Sequence, residues 1–461
     1  MACGRHGQAA NPTVVPTLCR QLTVDGANQL ISEQSAEEAF VSDFESVDYF
    51  TDPSLVPDPY PYFDFLRSRC PVARESHQGV LAITGHQEAL AVYRDPAFSA
   101  CVSVVGPFSG LPFEPEGDDI SALLKQHRSR IPMSEHIVTQ DPPEHTRTRG
   151  LLSRLLTPKR LKENEDFMWR LADQQLDRFV SCGTCEFLKD YARPFSGLVI
   201  ADLLGIPAED HEECRRVFSA NRSERSRDDI ATGERNPLEW LNDKFSAYIG
   251  DRRREPRADV LTELAEAKYP DGSTPEIIDV VRLATFLFAA GQETTTKLLG
   301  FAVRVIAENP GIQAMLGQNR DRIPAFIEET LRTESPVKSH FRMARTNTSV
   351  GDMPIPAGST VMLLPGASNR DSRKFVEPNE FRLDRPNVRE HVAFGRGNHS
   401  CPGAPLARAE GQISINRILD RMGDIRISES MHGPAHARRY TYEPTWQMRG
   451  LTKLHLEFQE I

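Results

Sequence analysis

No stretch of this 461-residue chain approaches the ~20 uninterrupted apolar residues that a membrane-spanning helix needs. Its opening, MACGRHGQAANPTVVPTLCRQL, holds no apolar core of a secretion signal. Cysteine is sparse: positions 3, 19, 70, 101, 182, 185, 214 and 401 are too dispersed for the disulfide framework of a small secreted domain. Both scarcities lead to the expectation of a cytoplasmic protein with reduced thiols and no membrane anchor. Positive charge is not in surplus either. The 55 Lys and Arg against 65 Asp and Glu leave a net charge of −10, which argues against a polyanion binder and removes nucleic acid from the expected partners. No internal repeat and no low-complexity linker divides the chain, although its length exceeds that of an ordinary single domain.

What is present is mostly helical signal. Residues 1–40 are polar without a sustained period and read as a disordered tail, leaving 41–461 as one domain. The clearest helix is expected from Thr274 to about Asn309, with Thr274 as N-cap, Pro275 in the first position and Pro310 as the stop. Its middle, LATFLFAA, is apolar on nearly every side and predicts burial. A second helix is expected in DPPEHTRTRGLLSRLL, with Asp141 as N-cap and His145 and Arg149 on one face. A third, IPAFIEETLRTESP, ends near Pro336 and puts Glu329 within reach of Arg332. GDMPIPAGSTVM reads as short strands and turns, and a Pro- and Arg-rich meander, residues 367–390, leads to AFGRGNHSCPG.

That last segment crowds glycines and a histidine around Cys401, just before a helix start. A dinucleotide fingerprint fails because Ser400 stands where its third glycine belongs. A cysteine nucleophile would need a positioned base, and His399 is only two residues away in a tight loop. Cys182-Gly-Thr-Cys185 has redox or zinc spacing but no partner pair, and reads as structural. Haem ligation accounts for the whole cluster. A flat macrocycle approaching a thiolate needs a loop with few side chains, here Gly395, Gly397 and Gly403. Backbone amides, the following helix start and Phe394 would then shield and tune the sulfur.

FGRGNHSCPG resembles the haem-binding loop of the cytochrome P450 family, and three further motifs agree in the family's order: DPPEHTRTR at 141–149, AGQETT at 290–295, and Glu329-Thr-Leu-Arg332. The resemblance covers roughly residues 45–461 and is similar to the soluble bacterial class. It implies a mainly α fold, with a long central helix over haem b (iron protoporphyrin IX) and a small β-rich lobe. It makes Cys401 the axial thiolate ligand of the iron and His145, Arg149, Arg342 and His399 the partners of the haem propionates. Ala290 and Gly291 would leave room for dioxygen, and Glu293 with Thr294 would supply the acid–alcohol pair that delivers protons. Glu329, Arg332 and, as third member, Arg385 would brace the cysteine loop. Read without the resemblance, each propionate partner is an ordinary surface or capping residue, and Glu-Thr-Thr a polar cluster bending a helix.

Substrate contacts are expected from Leu283, Phe286 and Leu287 on the long helix, although such residues are as readily plain core. Family position adds Val337, Ser339, His340, Phe341 and the turn at Trp446, with the segment from Val102 to Ile137 as an apolar lid hinged at its glycines. The substrate is expected to be apolar and of small to medium size: a terpenoid, steroid or fatty-acyl skeleton. Electrons must come from outside, since no flavin or iron–sulfur motif is present; the resemblance implies a ferredoxin and its NAD(P)H-dependent reductase. Arg147, Arg154, Lys159, Arg160 and Arg396 would form the docking patch, with 251–257 a solvated cationic helix end. The expected activity is monooxygenation. Rival readings are a peroxygenase or isomerase on the same fold, against which the Glu293-Thr294 pair speaks, and a non-catalytic haem or ligand-binding protein.

Overall fold

Ile277–Glu308 forms a helix of 32 residues, about 48 Å long at 1.5 Å per residue, around which the rest is arranged. In the computed structural model the described residues are 44–102, 110–213 and 237–461, the side chains of 153–155 and 237–239 excepted. The expected tail and residues 103–109 of the expected lid therefore lie outside them. Glu45–Ile461 is one compact unit.

In chain order its principal elements are α1 (Tyr60–Arg69), β1 (Val72–Arg74), β2 (Leu81–Ile83), α2 (His86–Arg94), β3 (Phe98–Ser99), α3 (Ser121–His127), α4 (Glu144–Leu155), α5 (Pro158–Leu176), β4 (Thr184–Glu186) and α6 (Arg193–Leu204). After these come α7 (Pro237–Arg254), α8 (Val260–Ala265), the long helix α9, α10 (Pro310–Gln318), α11 (Ile323–Thr333), β5 (His340–Ala344), β6 (Thr348–Val350), β7 (Met353–Ile355), β8 (Thr360–Leu363), α12 (Ala404–Arg421), β9 (Met422–Ile427) and β10 (His455–Glu460). The strands form a five-stranded sheet in the order β1-β2-β8-β5-β3, a three-stranded sheet β4-β10-β9 and the hairpin β6-β7. Only β2 and β8 run parallel. The helical body is the larger part, and its core joins α5, α6, α9, α11 and α12. A separate apolar cluster holds the five-stranded sheet against α2.

Two helix starts differ from the sequence reading. Residue 274 precedes a proline and is steered away from helical torsions, so the helix begins later, with Glu276 extended (φ −61°, ψ 152°) in the cap position. Asp141 does not cap α4: its carboxylate accepts from the Ala100 amide at 2.8 Å and from the Ser99 hydroxyl, tying the end of β3 to the loop before α4. The cationic run at the end of α7 is solvated only in part: Arg254 and Arg257 are exposed, but the two arginines before them are not. Arg252 is buried and bonded to Asp251 and Asp259 at 2.7 Å each, and Arg253 donates to the carbonyls of Ala265 and Pro275.

Candidate active site

The cysteine loop is positioned from behind by α11. Arg332, fully buried, donates Nε to Glu329 Oε2 at 2.7 Å and Nη2 to Oε1 at 2.8 Å. Its remaining donors reach the carbonyls of Asn369 (2.9 Å), Pro378 (2.7 Å) and Glu380 (2.9 Å), so one guanidinium gathers the meander. Arg385 completes the triad, its Nε 3.2 and 3.3 Å from the two Glu329 oxygens. The order passes on through Asn369, whose Oδ1 takes the Val392 amide at 2.7 Å, and then through Gly395 N to Val392 O (2.9 Å) and Cys401 N to Phe394 O (2.8 Å).

A second brace escaped the sequence reading. Glu328, beside the recognised Glu329, bonds His391 Nε2 at 2.9 Å and the Arg408 guanidinium of α12, which lies 4.7 Å over the Phe394 ring. Burial alone would raise the Glu328 carboxyl, but His391 and Arg408 outweigh it and hold it at about 2. The only signal in the sequence was a doubled glutamate.

Cys401 has two properties that agree only if it faces an internal cleft. Its surface is exposed, yet burial pushes its thiol up, with the amides of Gly403 and Ala404 and the charge of Arg149 pulling it back. Those two amides are the shield expected around the sulfur. The glycines serve partly for another reason: at Gly397 (φ +70°) a Cβ would stand 2.2 Å from the Tyr93 carbonyl, so this glycine lets α2 touch the loop.

Around the loop four side chains converge. The rings of His145 and His399 lie 4.1 Å apart, and each keeps a buried Nε2 without a partner among the described residues. Arg149 donates to Ser400 O at 2.7 Å and Arg342 to Phe341 O at 2.7 Å, and the charge of Arg342 acts on both histidines. Burial first, then Arg342 and His145, hold His399 down to about 3; burial and Arg149 lower His145. Both rings are therefore neutral near pH 7 and would meet an anionic edge as hydrogen-bond donors, with the guanidinium groups supplying the charge.

α9 packs against α12, the helix that follows the cysteine loop. Residues 295–303 of α9 are all buried, whereas Ala290 is exposed and Ala289 and residues 291–294 are half-buried, so the helix is less covered over this stretch. Gly291 faces elsewhere: a Cβ there would meet Ile200 of α6 at 3.2 Å, so the missing side chain serves helix packing. Thr294 donates its hydroxyl to Ala290 O at 2.9 Å. Glu293 is held by Lys297 at 2.9 Å, and the same buried ammonium bonds Glu443 at 2.8 Å. Neighbours on a helix point about 100° apart. The expected acid–alcohol pair is thus split, its acid already in an ion pair.

The expected substrate contacts fall into separate groups. Leu283 is buried in a small core with Ile137, Leu151, Leu152, Ala267 and Tyr269, and Phe286 and Leu287 lie half-buried at its edge. Val337 is half-buried and bridges to Met448. Phe341 does not face the cleft group: it is 6% exposed and packs with Trp446 (5.4 Å) and Phe50 (6.4 Å). Trp446 and Ser339 belong to the same cluster, the Trp446 carbonyl taking the Tyr49 hydroxyl at 2.9 Å and the Ser339 hydroxyl at 3.5 Å. His340 points the other way and shares a 2.7 Å hydrogen bond with the Tyr93 hydroxyl.

Burial, then the charge of Arg342, bring His340 down from 6.5 to about 3. The native ring stays neutral where the unfolded chain takes up a proton, so the stability tied to it is lost as pH falls from about 6.5 towards 3. The denaturation midpoint should drop between about pH 7 and pH 5, and drop less in His340→Gln. An equal drop in both proteins would contradict this assignment.

Three cations of the expected basic patch have an acid nearby within the chain, and a fourth bonds only carbonyls. Arg147 lies 3.6 Å from Asp271, Lys159 3.8 Å from Glu163 and Arg160 2.8 Å from Glu263, while Arg396 donates to loop carbonyls at Arg389 and His391. The side chain of Arg154 lies outside the described residues. Cys182 is exposed and Cys185 is buried on β4, its thiol pushed up by burial; both are free.

A thiol facing backbone amides, two imidazoles each with a buried Nε2 unpartnered among the described residues, and two guanidinium groups beside them are together fitted to a flat, anionic metallocofactor, which defines a haem-thiolate protein. Comparison with known proteins agrees. The family model described as Cytochrome P450 matches residues 241–422. The chain is 35% identical over 347 residues to Cytochrome P450 109 of Bacillus spizizenii, covering 73% of this chain and 84% of that protein. It is similar to substrate-free cytochrome P450 CYP150A6 of Mycobacterium marinum, with 62% identity, a TM-score of 0.85 and coverage of 90% of this chain and 99% of the other. CYP109E1 from Bacillus megaterium in complex with corticosterone matches at 25% identity and a TM-score of 0.73, over 87% of this chain and 99% of that one.

The chain belongs to the cytochrome P450 family. It is a monooxygenase of the bacterial type whose cofactor is haem b, and no described helix is long and apolar enough to cross a membrane.

Proposed function

We propose that the enzyme inserts one atom of dioxygen into an unactivated C–H bond of a small to medium, largely apolar substrate, with Cys401 as the residue that would hold the haem iron and electrons from a ferredoxin and its reductase. The observation that carries this reading is the exposed Ala290, with the half-buried Thr294 one turn further on, midway along a helix whose next residues, 295–303, are all buried. Haem bound at the cleft supplies the activation of dioxygen by two electrons. His145, His399, Arg149 and Arg342 would hold its anionic edge. Terpenoid, steroid and fatty-acyl skeletons all suit the half-buried Phe286 and Leu287, and the steroid complex of CYP109E1 supports that range. The absence of a flavin or iron–sulfur motif supports an external ferredoxin.

The chain's own part in the chemistry is control of protons. Because the Thr294 hydroxyl donates to its own helix, its lone pairs remain to accept a hydrogen bond from a group in the cleft and hold that proton in place. Glu293 can move a proton only after loosening from Lys297. Thr294→Ala is expected to keep consuming NAD(P)H while product per NAD(P)H falls roughly 10-fold or more and hydrogen peroxide rises. Thr294→Ser should retain coupling. Unchanged coupling in Thr294→Ala would remove the hydroxyl from the mechanism.

A further inference from the structure

Lys338 is a buried cation without a counter-ion. It is 4% exposed, and among the described residues its amine has neither a hydrogen-bond acceptor nor a carboxylate partner. The charge that acts on it is the like charge of Arg449. A bare ammonium in such surroundings is costly, which makes its direction informative.

That direction follows from the strand register. Lys338 N donates to Gln447 O at 2.7 Å and Arg449 N to Pro336 O at 2.8 Å, so 336–338 is extended against 447–449 and runs on into β5. Alternate residues share a face, as do cross-strand partners. One face carries Ser339 and Phe341, turned to Tyr49, Phe50 and Trp446. The other carries Lys338, His340 and Arg342. Its far end is the cofactor group, where Arg342 acts on His145 and His399. Its near end is turned to α9, where Arg449 lies 5.8 Å over the Phe301 ring. Lys338 therefore stands on the strand face that runs from α9 to the cofactor edge.

We propose that Lys338 determines substrate specificity by pairing with a carboxylate on the substrate, so that the enzyme takes amphipathic acids: an apolar skeleton along α9 with its acid group at Lys338. This rests on the monooxygenase reading above and narrows its substrate class. Burial and the charge of Arg449 bring the amine down to about 7, so it gains a proton readily once an anion lies beside it. Neither His340, engaged by Tyr93, nor Arg449, bonded to Glu334 at 2.9 Å, is available for the same duty.

The test uses the ferric holoprotein with matched probes: a terpenoid acid and a long-chain fatty acid, each beside its methyl ester. Binding is read by the spin-state change and by thermal stabilisation. The acids should bind wild type at least about tenfold more tightly than the esters, a typical value for a charge-assisted pair. Lys338→Met, which removes a buried charge and should keep its haem, should abolish that preference by weakening the acids alone. Lys338→Arg should retain part of it. Esters binding wild type as well as the acids do, or Lys338→Met keeping the acid preference, would overturn the proposal. The wider reading fails separately, if bound acids and esters alike give no dioxygen-dependent product.

Discussion

Arg332→Lys is expected to yield little haem-loaded protein. The guanidinium it replaces makes five hydrogen bonds, two to Glu329 and one each to the carbonyls of Asn369, Pro378 and Glu380. An ammonium has three donors and no planar fork, so it cannot serve the carboxylate and three carbonyls on two sides at once. What is left is a buried Glu329 held by Arg385 and the Arg382 amide with at most a single ammonium contact, or, if the ammonium turns to the carbonyls, none. Breaking a buried pair in this way costs about 3–5 kcal/mol, a large part of the ~5–15 kcal/mol that holds a typical protein together. The effect reaches the active site because Asn369 fixes Val392, and Val392 begins the turn that ends at Cys401. Haem-to-protein ratio and denaturation midpoint should fall together. A variant with full haem and an unchanged midpoint would mean that Arg385 and the Glu328 brace suffice.

Cys401→His is the second large effect. Its imidazole can bind iron, so the variant separates holding the cofactor from tuning it. A thiolate donates electron density that favours O–O cleavage, and a neutral imidazole does so far less. Dioxygen-dependent product should fall by orders of magnitude, while the Arg332 network, which does not touch the sulfur, keeps the fold. Turnover near the wild-type rate would place the ligand elsewhere.

How much of this was legible in the sequence varies with the range of the interaction. The Glu329–Arg332 pair was legible because the two are three residues apart on one helix, while its role as a brace of the cysteine loop came only through the family resemblance. The face shared by His145 and Arg149 was legible on the same ground. The meeting of His145 with His399, 4.1 Å apart across more than two hundred residues, came only through the family resemblance. Family position set Phe341 beside its neighbours as a substrate contact without separating them, although a one-residue choice of strand face decides between the cleft and the aromatic cluster. The split between Glu293 and Thr294 was hidden as well: adjacency in sequence suggested a pair, while Lys297 and the distant Glu443 claim the acid. Lys338 gave no signal, since a lysine is ordinarily read as exposed until the structure buries it.

The central claim is that Cys401 lies as a thiolate against haem iron. The carbon monoxide complex of the reduced wild-type protein, recorded beside Cys401→His at matched haem content, tests it most directly. The strongly red-shifted Soret band of a thiolate-ligated haem should appear in the wild type and vanish in the variant. The same red-shifted band in both proteins would contradict the account.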